Sequence, residues 1–294
     1  MKFGLVVNPR KPSSWGVART AARYLAEHGS LEIADSAPPE AELPGPRVPL
    51  PEIRADVVVA IGGDGTFLSV LQQNSAPLFA LNAGTVGVLA EADARDEASV
   101  DAALHRLVEG LYFVEDRMKL AVRSGPALAP DATNEVVVHG ARAAKMGTFE
   151  IALDGRALGR IRADGVILAT PTGSTGYALS ALGPVMEPSV DAIVLVAIAP
   201  FRAASRALVL DPLHTIRVRP LEPASPTVVV IDGQEERPLD VGESILVYRS
   251  PRRARFVRFG TPHLVRLEGK GILPWSEVGS LGGDEDEERA GLPP

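Results

Sequence analysis

Cysteine is absent from all 294 residues. That excludes disulfides, thiolate metal sites and a cysteine nucleophile, and it suits a reducing, cytoplasmic setting. Lysine is nearly as scarce. Only five of the 30 basic residues are lysine, and the acids leave a formal charge of −7. This balance argues against a protein that grips a nucleic-acid backbone. No apolar run approaches the ~20 residues of a membrane span, and no polybasic or amphipathic membrane segment stands out. The opening MKFGLVVNPR breaks at Asn8-Pro9, too early for a secretion signal. The usual phosphate motifs are missing as well. There is no G-x-x-x-x-G-K-[ST], and Leu68 stands where G-x-G-x-x-G would need its last glycine. His139, His214 and His263 are isolated, and no His/Asp/Glu group has metal-ligand spacing. No internal repeat is visible.

What is present divides into two textures. In the first third, apolar strands (KFGLVVN, LEIA, DVVVAI, PLFALN) alternate with helical patterns. The helix around SSWGVARTAARYLAEHG has Ser13 or Ser14 at its start and Gly29 past its end. DEASVDAALHRLVEG has Asp96 near its start and Gly110 past its end. Residues 35–55 are proline-rich and read as an irregular loop. Unbroken apolar strands separated by helices imply a parallel sheet covered on both faces. Beyond about residue 115 the chain becomes a series of short strands with turn signals, and only STGYALSAL reads as helix. The expected fold is an N-terminal α/β domain over residues 1–115 and a β-rich, sandwich-like domain over 116–259. A segment near 260–280 is expected to return to the first domain, and the acidic tail 281–294 to be disordered.

Two stretches need more than a structural explanation. Val57–Ile61 run into Gly62-Gly63-Asp64-Gly65-Thr66, after which the apolar pattern resumes as a helix. Such a loop lies at the carboxyl edge of a parallel sheet, where ligands bind. Glycines let an anion touch the backbone, and the helix start favours negative charge. A plain turn does not need three glycines. Asp64 would repel a phosphate there, unless it holds a metal or takes a proton from an attacking hydroxyl. The second stretch, ADGVILATPTGSTGYALSALG at 163–183, is again strand, small-residue turn and helix, with hydroxyls offered to phosphate, ribose or base. Two shorter strings are unremarkable alone. Asn134-Glu135 reads as a loop end, and Asp232-Gly233-Gln234 as a hairpin turn.

Together these strings resemble the NAD kinase family over nearly the whole chain. The resemblance runs through Asn8-Pro9, GGDGT, NAGTVGVLAE at 82–91, Asn134-Glu135, DGVILATPTGSTGYALS at 164–180, RALVL at 206–210 and DGQ at 232–234. GGDGT alone is shared with diacylglycerol-type lipid kinases and, loosely, with phosphofructokinases. The PTGST-x-Y string with Asn-Glu is far more specific to NAD kinases.

The resemblance implies the following roles. ATP, or polyphosphate in its place, meets Gly62, Gly63, Gly65 and Thr66, with Mg²⁺ or a similar divalent ion. Asp64 activates the 2′-hydroxyl of the adenosine ribose of NAD. Gly65, Asn134, Glu135, Lys145, Arg162, Asp164 and Gln234 fall on NAD-binding positions, as does the run Thr175, Gly176, Tyr177, Ala178, Leu179 and Ser180. The site is completed by a neighbouring subunit, so a homodimer or homotetramer is implied. Two departures stand out. Val86-Gly87-Val88 lacks the family's usual aromatic, and Gly176 replaces an alanine, which leaves more room there. A lipid kinase shares only the glycine turn. A non-catalytic nucleotide sensor would not need Asp64.

Overall fold

The computed structural model describes residues 1–273 except 126, 143–144, 202–205, 222–225 and 241. The acidic tail lies outside the described residues. The chain falls into two compact units, residues 1–260 and 261–294. The second contributes one described helix, α5 (His263–Glu268); everything below concerns the first.

Its α/β part runs β1 (Lys2–Val7), α1 (Trp15–His28), β2 (Ser30–Ala34), β3 (Arg47–Val48), β4 (Val57–Gly62), α2 (Asp64–Gln73), β5 (Leu78–Asn82), β6 (Ala92–Asp93) and α3 (Glu97–Val108). The strands pair in parallel in the order β5-β4-β1-β2-β3. Alternate residues of each strand face opposite layers. Leu5, Val7, Val59, Ile61, Phe79 and Leu81 pack with α1 and α3. Val6, Val58, Ala60, Leu78 and Ala80 pack with Phe67 and Leu71 of α2. Burial on both faces is why these strands read as unbroken apolar runs. The proline-rich loop is less irregular than expected, because Arg47–Val48 add the edge strand β3 to β2. Asp96 caps α3, its carboxylate accepting from the Ser99 N–H at 3.3 Å.

The β-rich part continues with β7 (Phe113–Ser124), β8 (Ala127–Leu128), β9 (Glu135–Gly140), β10 (Gly147–Leu153), β11 (Arg156–Ala163) and β12 (Gly165–Ala169). After the short helix α4 (Tyr177–Ser180) come β13 (Ile193–Ile198), β14 (Leu208–Leu210), β15 (Ile216–Pro220), β16 (Thr227–Ile231), β17 (Glu235–Leu239) and β18 (Ile245–Arg258). Strands β14-β13-β12-β9-β16-β17 form one antiparallel sheet. Its inner residues, Val136, Val166, Leu168 and Val229 among them, share a core with Leu120, Phe149, Ile151, Val218 and Val247 from a facing sheet. This is the expected sandwich.

One feature was not expected. The facing sheet is continuous with the parallel one. β18 pairs antiparallel with β15 and β7, and Phe256 near its end pairs in parallel with Leu78 of β5. The chain therefore returns to the first layer along a strand. The fully buried Phe256 ring sits at this seam, with the guanidinium of Arg258 4.6 Å from its centroid and that of Arg117 at 4.9 Å. Phe256→Ala is expected to destabilise the protein by about 3–5 kcal/mol, the range for truncating a buried aromatic ring, read as a lowered denaturation midpoint. A loss under 1 kcal/mol would mean that the seam carries little of the stability.

Candidate active site

The glycine turn follows β4 and forms the first turn of α2. Its three glycines do not supply unusual backbone angles; none has a positive φ. They keep the surface bare. A Cβ on Gly62 would lie 2.5 Å from Thr66 Oγ1, so the missing side chain seats Thr66. Gly65 faces Gln234, whose Nε2 would be 3.4 Å from a Cβ there. In the first turn of α2 the Thr66 and Phe67 N–H groups donate to Gly63 O at 2.9 and 3.3 Å, which leaves those of Asp64 and Gly65 for a ligand. Thr66 Oγ1 is held by Asn8 Nδ2 at 3.1 Å. A cavity of about 650 Å³ opens over this turn, walled by Gly63, Gly65 and Thr66, by Asn8, Arg10 and Lys11, and by Gln234 from the β-rich part. Lys11 Nζ donates to Ala83 O at 3.0 Å. Two cations beside a bare glycine turn suit a polyphosphate.

Asp64 is held by the loop that follows β5. Its carboxylate accepts the N–H of Val88 at 3.1 Å and of Leu89 at 3.0 Å. Gly87 makes this loop possible: its φ is +65°, and a Cβ would fall 2.2 Å from Asn82 Cγ. Val88, where the family has an aromatic, thus contributes its backbone to Asp64. The loop is braced from behind by Arg258, whose Nη1 donates to Leu89 O at 3.0 Å and Glu91 at 3.1 Å, and whose Nε donates to Glu115 at 2.9 Å. Arg258 is only 2% exposed. Sequence patterns did not single it out, since its partners lie far away in the chain.

Asp232 organises the other half of the site. Placed by the β16–β17 turn, its buried carboxylate accepts three consecutive N–H groups, Thr133 at 2.8 Å, Asn134 at 2.7 Å and Glu135 at 3.1 Å. Gln72 Nε2 of α2 donates to it at 3.1 Å. Burial still pushes its pKa above the ordinary value, against those bonds. Only Gln234 of this turn was assigned from the sequence; Asp232 is the residue that ties it to Asn134-Glu135.

Glu135 is buried, and burial, reinforced by the charge of Asp232, pushes its pKa up to about 7. The Tyr177 N–H is the counteracting hydrogen bond, while Oε2 and the neighbouring Asn134 Oδ1 have no protein partner. Both acceptors suit a ligand's donors. A Cβ on Gly176 would be 2.9 Å from Glu135 Oε2. The room left by the missing methyl is therefore taken by this carboxylate, and the pocket is not widened there.

The 170–180 turn differs from expectation. Its hydroxyls are mostly spent within the fold. Thr170 donates to Thr133 O at 2.6 Å, Ser174 to Pro171 O at 2.6 Å and Thr175 to Thr172 O at 3.1 Å. A 3₁₀ turn (Thr172–Thr175) and the four-residue α4 replace the expected longer helix, interrupted at Gly176 (φ −95°, ψ −131°). Tyr177 and Ser180 are exposed, Leu179 is half-buried, and the Ala178 side chain lies in the core with Ile167 and Val194. Lys145 and Arg162 are exposed, Arg162 stacking 4.8 Å over Phe201, and Asp164 is half-buried between β11 and β12. None of Asn134, Glu135, Lys145, Arg162, Asp164 or Thr175–Ser180 walls the cavity over the glycine turn.

Residues 49–112 match the ATP-NAD kinase N-terminal domain, and residues 133–259 match the ATP-NAD kinase C-terminal domain. The chain belongs to the NAD kinase family. An NAD kinase of Methanothermobacter thermautotrophicus is 38% identical over 264 residues, 88% of this chain and 92% of that protein. One from Thermococcus gammatolerans is 36% identical over 266 residues, covering 88% and 94%. Among solved structures, an Archaeoglobus fulgidus NAD kinase in complex with ATP aligns with a TM-score of 0.72 at 31% identity, over 92% of this chain and 98% of that one. A yeast NADH kinase complexed with NADH aligns with a TM-score of 0.79 over 97% and 89%; at 23% identity it attests the fold alone. The NAD kinase family assignment thus extends over both parts of the molecule.

The raised pKa of Glu135 has a measurable consequence. Between its unfolded value of 4.5 and about 7, the unfolded chain loses this proton before the folded chain does. Its contribution to stability therefore falls as pH rises through that window, and the full penalty is present above it. Glu135→Gln, which stays neutral, should gain stability relative to the parent between pH 5 and pH 8, read as diverging melting temperatures. Parallel curves across that window would mean that Glu135 titrates like an exposed carboxyl.

Proposed function

We infer that this chain is an NAD kinase that transfers the γ-phosphate of ATP to the 2′-hydroxyl of the adenosine ribose of NAD, giving ADP and NADP. The observation that carries this reading is the bare glycine turn, with Arg10 and Lys11 in the wall of the cavity over it, and its single carboxylate, Asp64, which is held by the Val88 and Leu89 N–H groups and does not itself line that cavity. The first N–H groups of α2 and the two cations would hold the phosphates of ATP. Asp64, fixed by the Val88 and Leu89 N–H groups, would take the proton of the ribose hydroxyl as it attacks. A carboxylate oxygen has a lone pair to spare after one hydrogen bond, so that grip leaves Asp64 able to accept the proton. Asn134 and Glu135, with Oδ1 and Oε2 unpartnered, would orient the adenosine.

A divalent ion is needed for ATP chemistry. Among the described residues no group of three or more His, Cys, Asp or Glu could hold one. This donor set does not suit a resident metal. Mg²⁺ is taken to enter as part of the nucleotide substrate.

We also propose a division of labour, with residues 1–115 serving the phosphate donor and 116–259 serving NAD. The protein is taken to work in the cytoplasm; no helix among the described residues is long and apolar enough to cross a membrane. Assembly into a homodimer or homotetramer is supported by exposed apolar side chains on the β-rich part. Phe201 is 62% exposed, and Leu208 and Val209 lie on the edge strand β14. A neighbouring copy would bring Arg162, Asp164, Lys145 and the Tyr177 segment to the nicotinamide half of NAD.

Asp64→Asn should lower turnover by roughly 10²–10⁴-fold, the usual loss of a general base, while NAD binding survives. NMR of the parent's product should place the new phosphate on the 2′-oxygen. A variant retaining half its activity, or a 3′-phosphate, would overturn the assignment.

If the site is shared, mixing Asp64→Asn protein with Asp164→Ala protein should restore activity, since subunit exchange rebuilds some sites that carry neither lesion. Recovery should grow with incubation time and fail after crosslinking. A fully active monomer by light scattering would refute sharing and leave the kinase reading intact.

A further inference from the structure

A second and larger cavity, of about 1010 Å³, opens at the opposite edge of the parallel sheet. Its walls include Lys2 at the start of β1, Asp56 just before β4 and Pro77 just before β5. This is the amino edge, away from the glycine turn at the carboxyl edge. Six basic residues line it, Lys2, Arg54, Lys119, Arg252, Arg253 and Arg255, against one acid, Asp56. In a chain of net charge −7 such a concentration of cations is out of keeping with the whole.

Part of this charge is already compensated. Arg252 donates to Asp131 at 2.8 Å, and Arg253 pairs bidentately with Asp191 at 2.8 and 2.9 Å. Arg255 meets Asp116 only at 3.4 Å, and both side chains are about half exposed; such a pair is weak. The Arg54 guanidinium donates to the carbonyls of Pro51 and Ile53, and its backbone N–H to Glu32 at 3.1 Å; among the described residues neither that guanidinium nor the Lys2 ammonium has a carboxylate partner. Lys119 is the telling residue. It is 3% exposed, and its ammonium spends one donor, on Leu71 O at 2.7 Å. Burial depresses its pKa, against the attraction of Asp131 and Asp232. Both carboxylates are engaged elsewhere, Asp131 by Ser250 and Arg252 and Asp232 by four donors, so a buried ammonium with donors to spare faces a cavity of like charge.

We propose that this cavity is a second anion site, taking a phosphate-bearing ligand of nucleotide size on Lys119, Arg54 and Arg255. Its volume is at the upper end of ordinary ligand pockets. Guanidinium groups match phosphate oxygens in pairs, and an ammonium adds a point charge. Tyr112, half-buried in the wall, offers a ring for a base. The cavity adjoins the NAD kinase cleft, the two sharing Pro51 and Gln73 in their walls, and the two classes of site expected below rest on the proposed reading that the cleft itself takes ADP. It also touches the machinery from behind, because the carbonyl held by Lys119 belongs to α2, the helix whose first turn is the glycine turn.

Calorimetric titration of the full chain with ADP tests this. Two classes of site per chain are expected, one of which weakens at least tenfold in Lys119→Met and in Arg255→Gln, while the other is unchanged in Arg255→Gln. Arg255 is exposed enough that its variant should fold even if the Lys119 variant does not. Inorganic tripolyphosphate should compete with ADP for the class that the variants lose. Competition as strong as that of ADP itself would assign a bare polyphosphate; weaker competition would show that the nucleoside adds contacts at Tyr112. A single class of site in the parent protein up to millimolar ADP, two classes untouched by both variants, or no competition by tripolyphosphate would each overturn the proposal.

Discussion

One buried carboxylate holds the two halves of the site in register. Asp232 sits on a hairpin of the β-rich part, yet it gathers three consecutive N–H groups of the 133–135 turn and a side-chain amide from α2. Four donors on one carboxylate offset much of the cost of burying it. They also fix a distance: the turn carrying Asn134 and Glu135 cannot drift from the helix that carries Asp64 without breaking them. The raised pKa of Glu135 follows in part from the same residue, since a second carboxylate nearby disfavours its ionisation.

The glycine turn gains its character from what surrounds it. Three bare positions would be floppy in isolation, and here each faces something specific: Thr66 at Gly62, Gly84 at Gly63 and Gln234 at Gly65. Asp64 is fixed by the backbone of a neighbouring loop, and that loop by a buried arginine with two carboxylate partners. Such nested support holds a catalytic group in place without using a side chain that a ligand would displace.

Much of this was legible in the chain, for identifiable reasons. The parallel strands show because burial on both faces forbids polar residues in them. The glycine turn shows because an acid among glycines conflicts with any simple structural use. Arg258, Asp232 and Lys119 do not show. Each is an ordinary residue type, and its meaning comes from partners 48 to 169 positions away in the chain. The hydroxyl-rich turn shows the complementary limit. Composition reveals how many donors exist, and only the fold reveals that Thr170, Ser174 and Thr175 have already committed theirs. The continuity of the two sheets was equally hidden, since nothing local in the sequence marks a strand that serves two layers.

That strand bears on how the molecule is made. A ribosome delivers β1 to β5 early, but the edge of β5 is paired by Phe256 near the end of β18. β6 covers the Leu81–Asn82 end of that edge early, but the Leu78 end waits while more than half of the chain is still being synthesised. Long-range closure of this kind is slow, and waiting edges invite wrong pairings. The two parts should mature together at the end of synthesis, and fragments cut between them should not fold as either half alone.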